Sequence, residues 1–147
     1  AAAMPPSPRD AGVAVGLTAH LGEGIALRIR AEIEYRSGDP AAAQSSLREA
    51  QAILDELKPQ FAAAKNERSL VQTYQALGTV WQWRGFLAEI EGDLPAAQAA
   101  YRAALGEYDA CLAVGQASLD RIVREDIAGT LCQPYRDQVK EKLDSSQ

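Results

Sequence analysis

Apolar residues recur at spacings of three and four along most of this chain, the period of helices that bury one face. Ile25, Ile29 and Ile33 form one stripe, with Leu27 and Ala31 beside it, and predict a first helix reaching about Ser37. Its start is read at Ser7-Pro8, with Asp10 in the first turn. Gly12, Gly16, Gly22 and Gly24 weaken the front half and leave room for a break near residues 20–24. Gly38 is placed to end this helix as a left-handed residue, Asp39 to cap the next, and Pro40 to open it. The second helix carries Ala43, Leu47, Ala50, Leu54 and Leu57 on one face. Pro59 should kink it, or stop it at Lys58 with a restart through Phe61, before a turn at Lys65-Asn66.

The third helix, about Glu67 to Glu91, has two apolar stripes: Leu70, Tyr74, Leu77, Trp81 and Ala88, then Ala76, Val80, Trp83, Leu87 and Ile90. A helix apolar on two sides packs between neighbours on two sides. Gly92-Asp93 repeats the turn, Pro95 falls in an opening turn, and a fourth helix ends near Gly115. It places Leu94, Ala97, Tyr101, Ala104, Tyr108 and Cys111 on one face. Ser118 to Leu143 reads as one kinked helix or two short ones, broken around Gly129 and Pro134. Ile122, Val123 and Ile127 supply one patch there, and Tyr135, Val139 and Leu143 another. No stretch alternates as a strand does, so the fold class is all-α.

The pattern also repeats. Gly38-Asp39 and Gly92-Asp93 lie 54 positions apart, and in that register Arg30/Arg84, Ala42/Ala96, Ala43/Ala97, Gln44/Gln98, Arg48/Arg102 and Ala50/Ala104 coincide. Such a period marks supersecondary units that cannot bury their apolar faces alone. The expected organisation is a disordered segment at 1–8 and a single domain at 9–147. Within it, repeat 1 spans about 9–65, repeat 2 about 67–115, and a capping helix about 118–143. A bundle of four or five helices with an incidental duplication is the alternative.

In the second copy Trp81, Gly85, Ala97, Tyr101 and Ala104 fall in register with the Gly-Asp turn, as Leu27, Ala31, Ala43, Leu47 and Ala50 do in the first. This resembles the tetratricopeptide (TPR) pattern of a bulky and a small residue on one helix and small residues around a bulky one on the next. The resemblance covers about 28 residues per copy and departs in places. The period exceeds the usual of about 34, so the helices must be longer or an extra turn must lie at 55–76. Arg30 and Arg84 stand where the family prefers Leu, and Glu34 and Ala88 where it prefers an aromatic. Asp55 and Asp109 replace its closing Pro. The resemblance implies two antiparallel hairpins stacked as a right-handed array with a C-terminal cap.

It further implies a groove on the first helix of each repeat, lined by Arg28, Glu32, Tyr35 and Arg36, then Gln82, Phe86, Glu89 and Ile90. Arg28, Tyr35, Arg36, Gln82, Phe86 and Glu89 are the candidate partner-binding residues. Tyr35, Phe86 and Trp83 are suited to anchor an apolar or helical ligand, or else to pack as core. TPR domains that grip a C-terminal carboxylate place Lys and Asn at such positions; Arg28 and Gln82 do not match. For Arg30 and Arg84 the expectation is a packed stem with the guanidinium reaching solvent or a carboxylate.

Composition narrows the functions. Net charge −5 and a pI of about 4.9 argue against nucleic-acid and anionic-membrane partners, and no apolar run approaches a membrane span. Pro5, Pro6, Pro8 and Asp10 do not resemble a signal peptide. His20 is the only histidine, and Leu21-Gly22-Glu23-Gly24 lacks the lysine of a phosphate loop. No catalysis, metal or cofactor is therefore expected. Cys111 and Cys132 read as two isolated, partly buried thiols, with a disulfide or redox pair as the alternative and a cytoplasmic location as the default. The expected function is a non-catalytic scaffold binding a peptide or partner helix. Self-association into a homo-oligomer, or a ligand-sensing segment of a larger signalling protein, are the alternatives.

Overall fold

Helix-favouring composition and well-formed caps give a chain in which every regular element among the described residues is helical. The computed structural model describes residues 8–145. Its elements are α1 (Pro8–Arg36), α2 (Pro40–Ala63), α3 (Glu67–Ile90), α4 (Leu94–Ala117), a π-helical segment (Ile122–Cys132) and α5 (Gln133–Ser145). The reading of residues 1–8 as disordered, and of Ser7 as a cap, lies outside the described residues except at Pro8, where α1 begins instead.

One device makes all three turns between α1 and α4. The amides of Gly38 and Asp39 bond back to the carbonyls of Tyr35 and Glu34; those of Gly92 and Asp93 bond to Glu89 and Ala88. Both glycines are left-handed, at φ 87° and 79°, where a Cβ would meet its own backbone. Asp39 and Asp93 then accept from the amides of Ala42 and Ala96 at 3.0 and 3.1 Å. The turn between α2 and α3 repeats the plan with Lys65 at φ 56° and Asn66 as the cap, accepting from Ser69 at 3.2 Å.

Three-residue turns force neighbouring helices antiparallel. Thus α1 packs along α2, α3 along α4, and the pairs join across α2 and α3. Helix α3 supplies two cores. Its Ala76, Leu77, Val80 and Leu87 join Ala31, Leu47, Leu54 and Phe61; its Val71 and Ala88 join Ala97, Tyr101, Tyr108 and Val139. Helix α3 is thus apolar on two sides, but the stripes divide differently: Leu70 and Leu77 go with Ala76, Val80, Trp83 and Leu87, while Tyr74, Trp81 and Ala88 go to the other core. Lys58 on α2 meets Glu107 on α4 at 2.8 Å, a half-buried link that no spacing rule reveals.

Several expectations change. Helix α1 runs unbroken through residues 20–24, because Leu21 and Gly24 are buried and Gly24 lies against Leu54 and Ile53 of α2. Pro59 lies inside α2 on its solvent face and the helix continues to Ala63. The 54-residue period comes from long helices: α2, α3 and α4 have 24 residues each. Leu94 and Ile90 are exposed, as are Ile29 and Ile33, so the Ile stripe of α1 divides: Ile25 packs against the first core and the other two face outward, while Ala31 is buried. Gly129 and Pro134 break nothing: the first lies within the π-helical segment and the second in the first turn of α5.

The cysteines are corrected as well. Cys111 on α4 and Cys132 at the end of the π-helical segment form a disulfide. Both are fully buried, so the sequence reading of partly buried thiols fails on pairing. In an α-helix, Val123 and Cys132, nine residues apart, would lie on opposite sides. With bonds from i to i+5 each turn is about one residue wider, and the buried Val123, Ile127, Ala128 and Cys132 share one face toward α4.

Candidate functional site

The first helices of the two pairs, α1 and α3, and then α5 border a groove of about 740 Å³. Arg28 and Glu32 come from α1; Gln75, Thr79, Gln82, Trp83 and Phe86 come from α3. Helix α5 closes the other side with Tyr135, Gln138, Val139 and Lys142, while Tyr101 of α4 and Leu131 complete the lining. Four aromatic rings thus share the groove with two cations and a set of amides.

Steric fit creates this arrangement. On α3, Gly78 and Gly85 lie two turns apart, and a Cβ on either would sit 2.5 Å from the ring of Tyr108 or 2.7 Å from that of Tyr101. Their lack of side chains lets the two tyrosines of α4 reach the α3 backbone. Tyr108 is fully buried, and its hydroxyl donates to Gln82 Oε1 at 2.8 Å and lies 3.2 Å from Thr79 Oγ1. Gln82 Nε2 in turn donates to Gln138 at 3.4 Å, linking α3 to α5. Burial pushes the Tyr108 phenol up to about 12, while Thr79 and Arg28 act in the opposite direction. Burial, reinforced by Glu89, holds the Tyr101 phenol well above its ordinary range.

The six candidate residues do not all meet here. Arg28, Gln82 and Phe86 line the groove. Tyr35 does not line it but packs behind, 5.7 Å from Trp83 and 5.4 Å from Phe86 between ring centroids. Arg36 points its charge at Glu32 at 2.6 Å and is largely exposed. Glu89 is engaged with Lys142 at 2.9 Å, so it positions a lining cation without lining the groove itself. Register alone misses the contribution of α5, because that helix matches neither repeat and its charged sequence suits an end cap.

The paired arginines separate. Arg30 is largely exposed, 3.7 Å from Glu34. Arg84 donates to Gln51 and lies over the Trp81 ring at 4.6 Å; burial and the charge of Arg48 lower its pKa. No group of three or more His, Cys, Asp or Glu able to hold a metal occurs among the described residues. His20 pairs with Glu23 at 3.1 Å. The groove presents ring faces, amides, an arginine, a lysine and a glutamate. No described helix is long and apolar enough to cross a membrane. Comparison with family models, with curated proteins and with solved structures finds no match for this chain.

Proposed function

We propose that this chain is a non-catalytic, TPR-like interaction module that takes a peptide or partner helix into the groove between α1, α3 and α5. The observation that carries this reading is the groove's make-up. Trp83, Phe86, Tyr101 and Tyr135 present apolar surface beside Arg28, Gln82 and Gln138, the mixture through which peptides are anchored. The equivalence of Gly24/Leu54 with Gly78/Tyr108, and of Ala31/Leu47 with Gly85/Tyr101, across 54 positions supports a repeat of one hairpin plan. A right-handed stacking of those hairpins belongs to this proposal.

The test is selection of short random peptides displayed on phage, followed by binding measurements on Gln138→Trp. That exposed rim position can fill the groove without touching the core. Selected peptides should lose binding to the blocked variant; peptides that bind it equally well would move the site elsewhere. The disulfide favours an oxidising compartment over a cytoplasmic one.

A second reading, association of two copies through α1, rests on its exposed Val15, Ile29 and Ile33.

A further inference from the structure

Among the charges that line the groove, one is left uncompensated. Glu32, one turn beyond Arg28, would be its natural partner across i, i+4, yet Glu32 is held by Arg36 at 2.6 Å. Lys142 is held by Glu89 at 2.9 Å, its ammonium 5.7 Å from the centre of the Tyr101 ring. The amides of the floor are also engaged, Gln82 between Tyr108 and Gln138. Arg28 has no carboxylate within ion-pair distance among the described residues, and its Nε is shut off from water without an acceptor.

A shielded guanidinium nitrogen without a partner is costly. A carboxylate arriving in the groove would balance the charge of the guanidinium that Arg28 lends to the lining, in the planar geometry that arginine matches best, with the shut-off Nε itself out of reach. The rest of the molecule limits how acidic the arriving chain can be. With net charge −5, the body repels a run of acids or a polyphosphate, whereas the rings of Trp83, Phe86 and Tyr135 favour apolar neighbours. We propose, resting on the peptide-groove reading above, that the occupant is a mainly apolar peptide segment carrying one internal Asp or Glu, its side-chain carboxylate seated on Arg28.

The test repeats the phage selection on the wild-type protein and on Arg28→Met. The wild type should enrich a single acidic position flanked by apolar or aromatic residues. Arg28→Met should lose that acidic preference and keep the apolar one. Replacing the acid of a selected peptide by its amide should weaken binding to the wild type about ten- to a hundredfold, and should leave binding to Arg28→Met unchanged, as a closed double-mutant cycle requires. Arg28→Gln provides the same comparison should Arg28→Met fold poorly by circular dichroism. Enriched peptides without an acidic position, or an acidic preference that survives both variants, would overturn the assignment while leaving the groove as a peptide site. No enrichment of any peptide would overturn the groove reading itself, and this assignment with it.

Discussion

Three turns built to one plan differ at one residue, and that residue carries a strain the other two avoid. Lys65 adopts φ 56° where its counterparts are Gly38 and Gly92. A left-handed non-glycine residue costs about 1–2 kcal/mol, partly offset by the greater freedom of glycine in the unfolded chain. Lys65→Gly should therefore stabilise the protein by about 0.5–1 kcal/mol in urea unfolding; a loss of stability would show that the lysine side chain contributes a contact of its own. The Gly-Asp turns were readable in the sequence because a steric rule dictates them. The third was readable only as a turn, since lysine gives no sign of its backbone angle. Tyr108 adds a pH prediction. Its folded pKa, about 12, lies above the ordinary value of 10, so its contribution is fully present below pH 10 and is lost as pH rises through about 12. Tyr108→Phe should flatten the alkaline loss of stability and remove one late phenolate from the ultraviolet titration. Ionisation of Tyr108 near the ordinary value of 10 would mean that its phenol is open to water.

Between elements, small against large is the rule that makes the hairpins. Gly85 admits the Tyr101 ring, so Gly85→Ala should cost about 1–3 kcal/mol. Pairing it with Tyr101→Leu, the residue and partner size found at Ala31 and Leu47, should recover part of the loss; strict additivity would mean that the two do not meet. Gly85 was visible in the sequence through its register, whereas Gly78 was not singled out although it does the same for Tyr108. The π-helical segment is missing from the sequence reading for a definite reason: its buried residues recur at five, Val123 with Ala128 and Ile127 with Cys132, so an α-helical template finds a broken patch. The disulfide at its end fixes the chain immediately before α5, a polar helix with Val139 as its buried residue. Closing 21 residues of chain corresponds to about 3 kcal/mol in the chain-entropy account. Cys111→Ala/Cys132→Ala should lower stability by about that much and speed amide exchange first in α5, loosening one wall of the groove. Unchanged exchange there would mean that Tyr135, Arg136 and Lys142 hold the helix unaided.

For the molecule as a whole, the question is what meets the free side of α1. The all-helical class and both hairpins were legible from period and turns; the outward direction of Ile29 and Ile33 was not, because periodicity marks a face without naming its neighbour. Here Val15, Ala19, Gly22, Ala26, Ile29 and Ile33 are all exposed, alternating steps of four and three as helix seams do. Set against itself antiparallel, this stripe places Ile33 across from Val15, Ile29 from Ala19, and Ala26 from Gly22. Each large residue then faces a smaller one, and the centre allows close approach. Such self-complementarity is what a two-fold interface requires. Sedimentation at high micromolar concentration should therefore show dimers. Ile29→Glu/Ile33→Glu should dissociate them with little effect on monomer stability, because both side chains are at least two-fifths exposed in the single chain, 44% and 60%. A wild-type monomer at those concentrations removes the reading. A dimer that survives both substitutions places the contact on another face. Since the groove between α1, α3 and α5 opens on a different side of α1, with Arg28 and Glu32, dimerisation and peptide binding should be independent, and the charge-bearing variant should bind selected peptides with unchanged affinity.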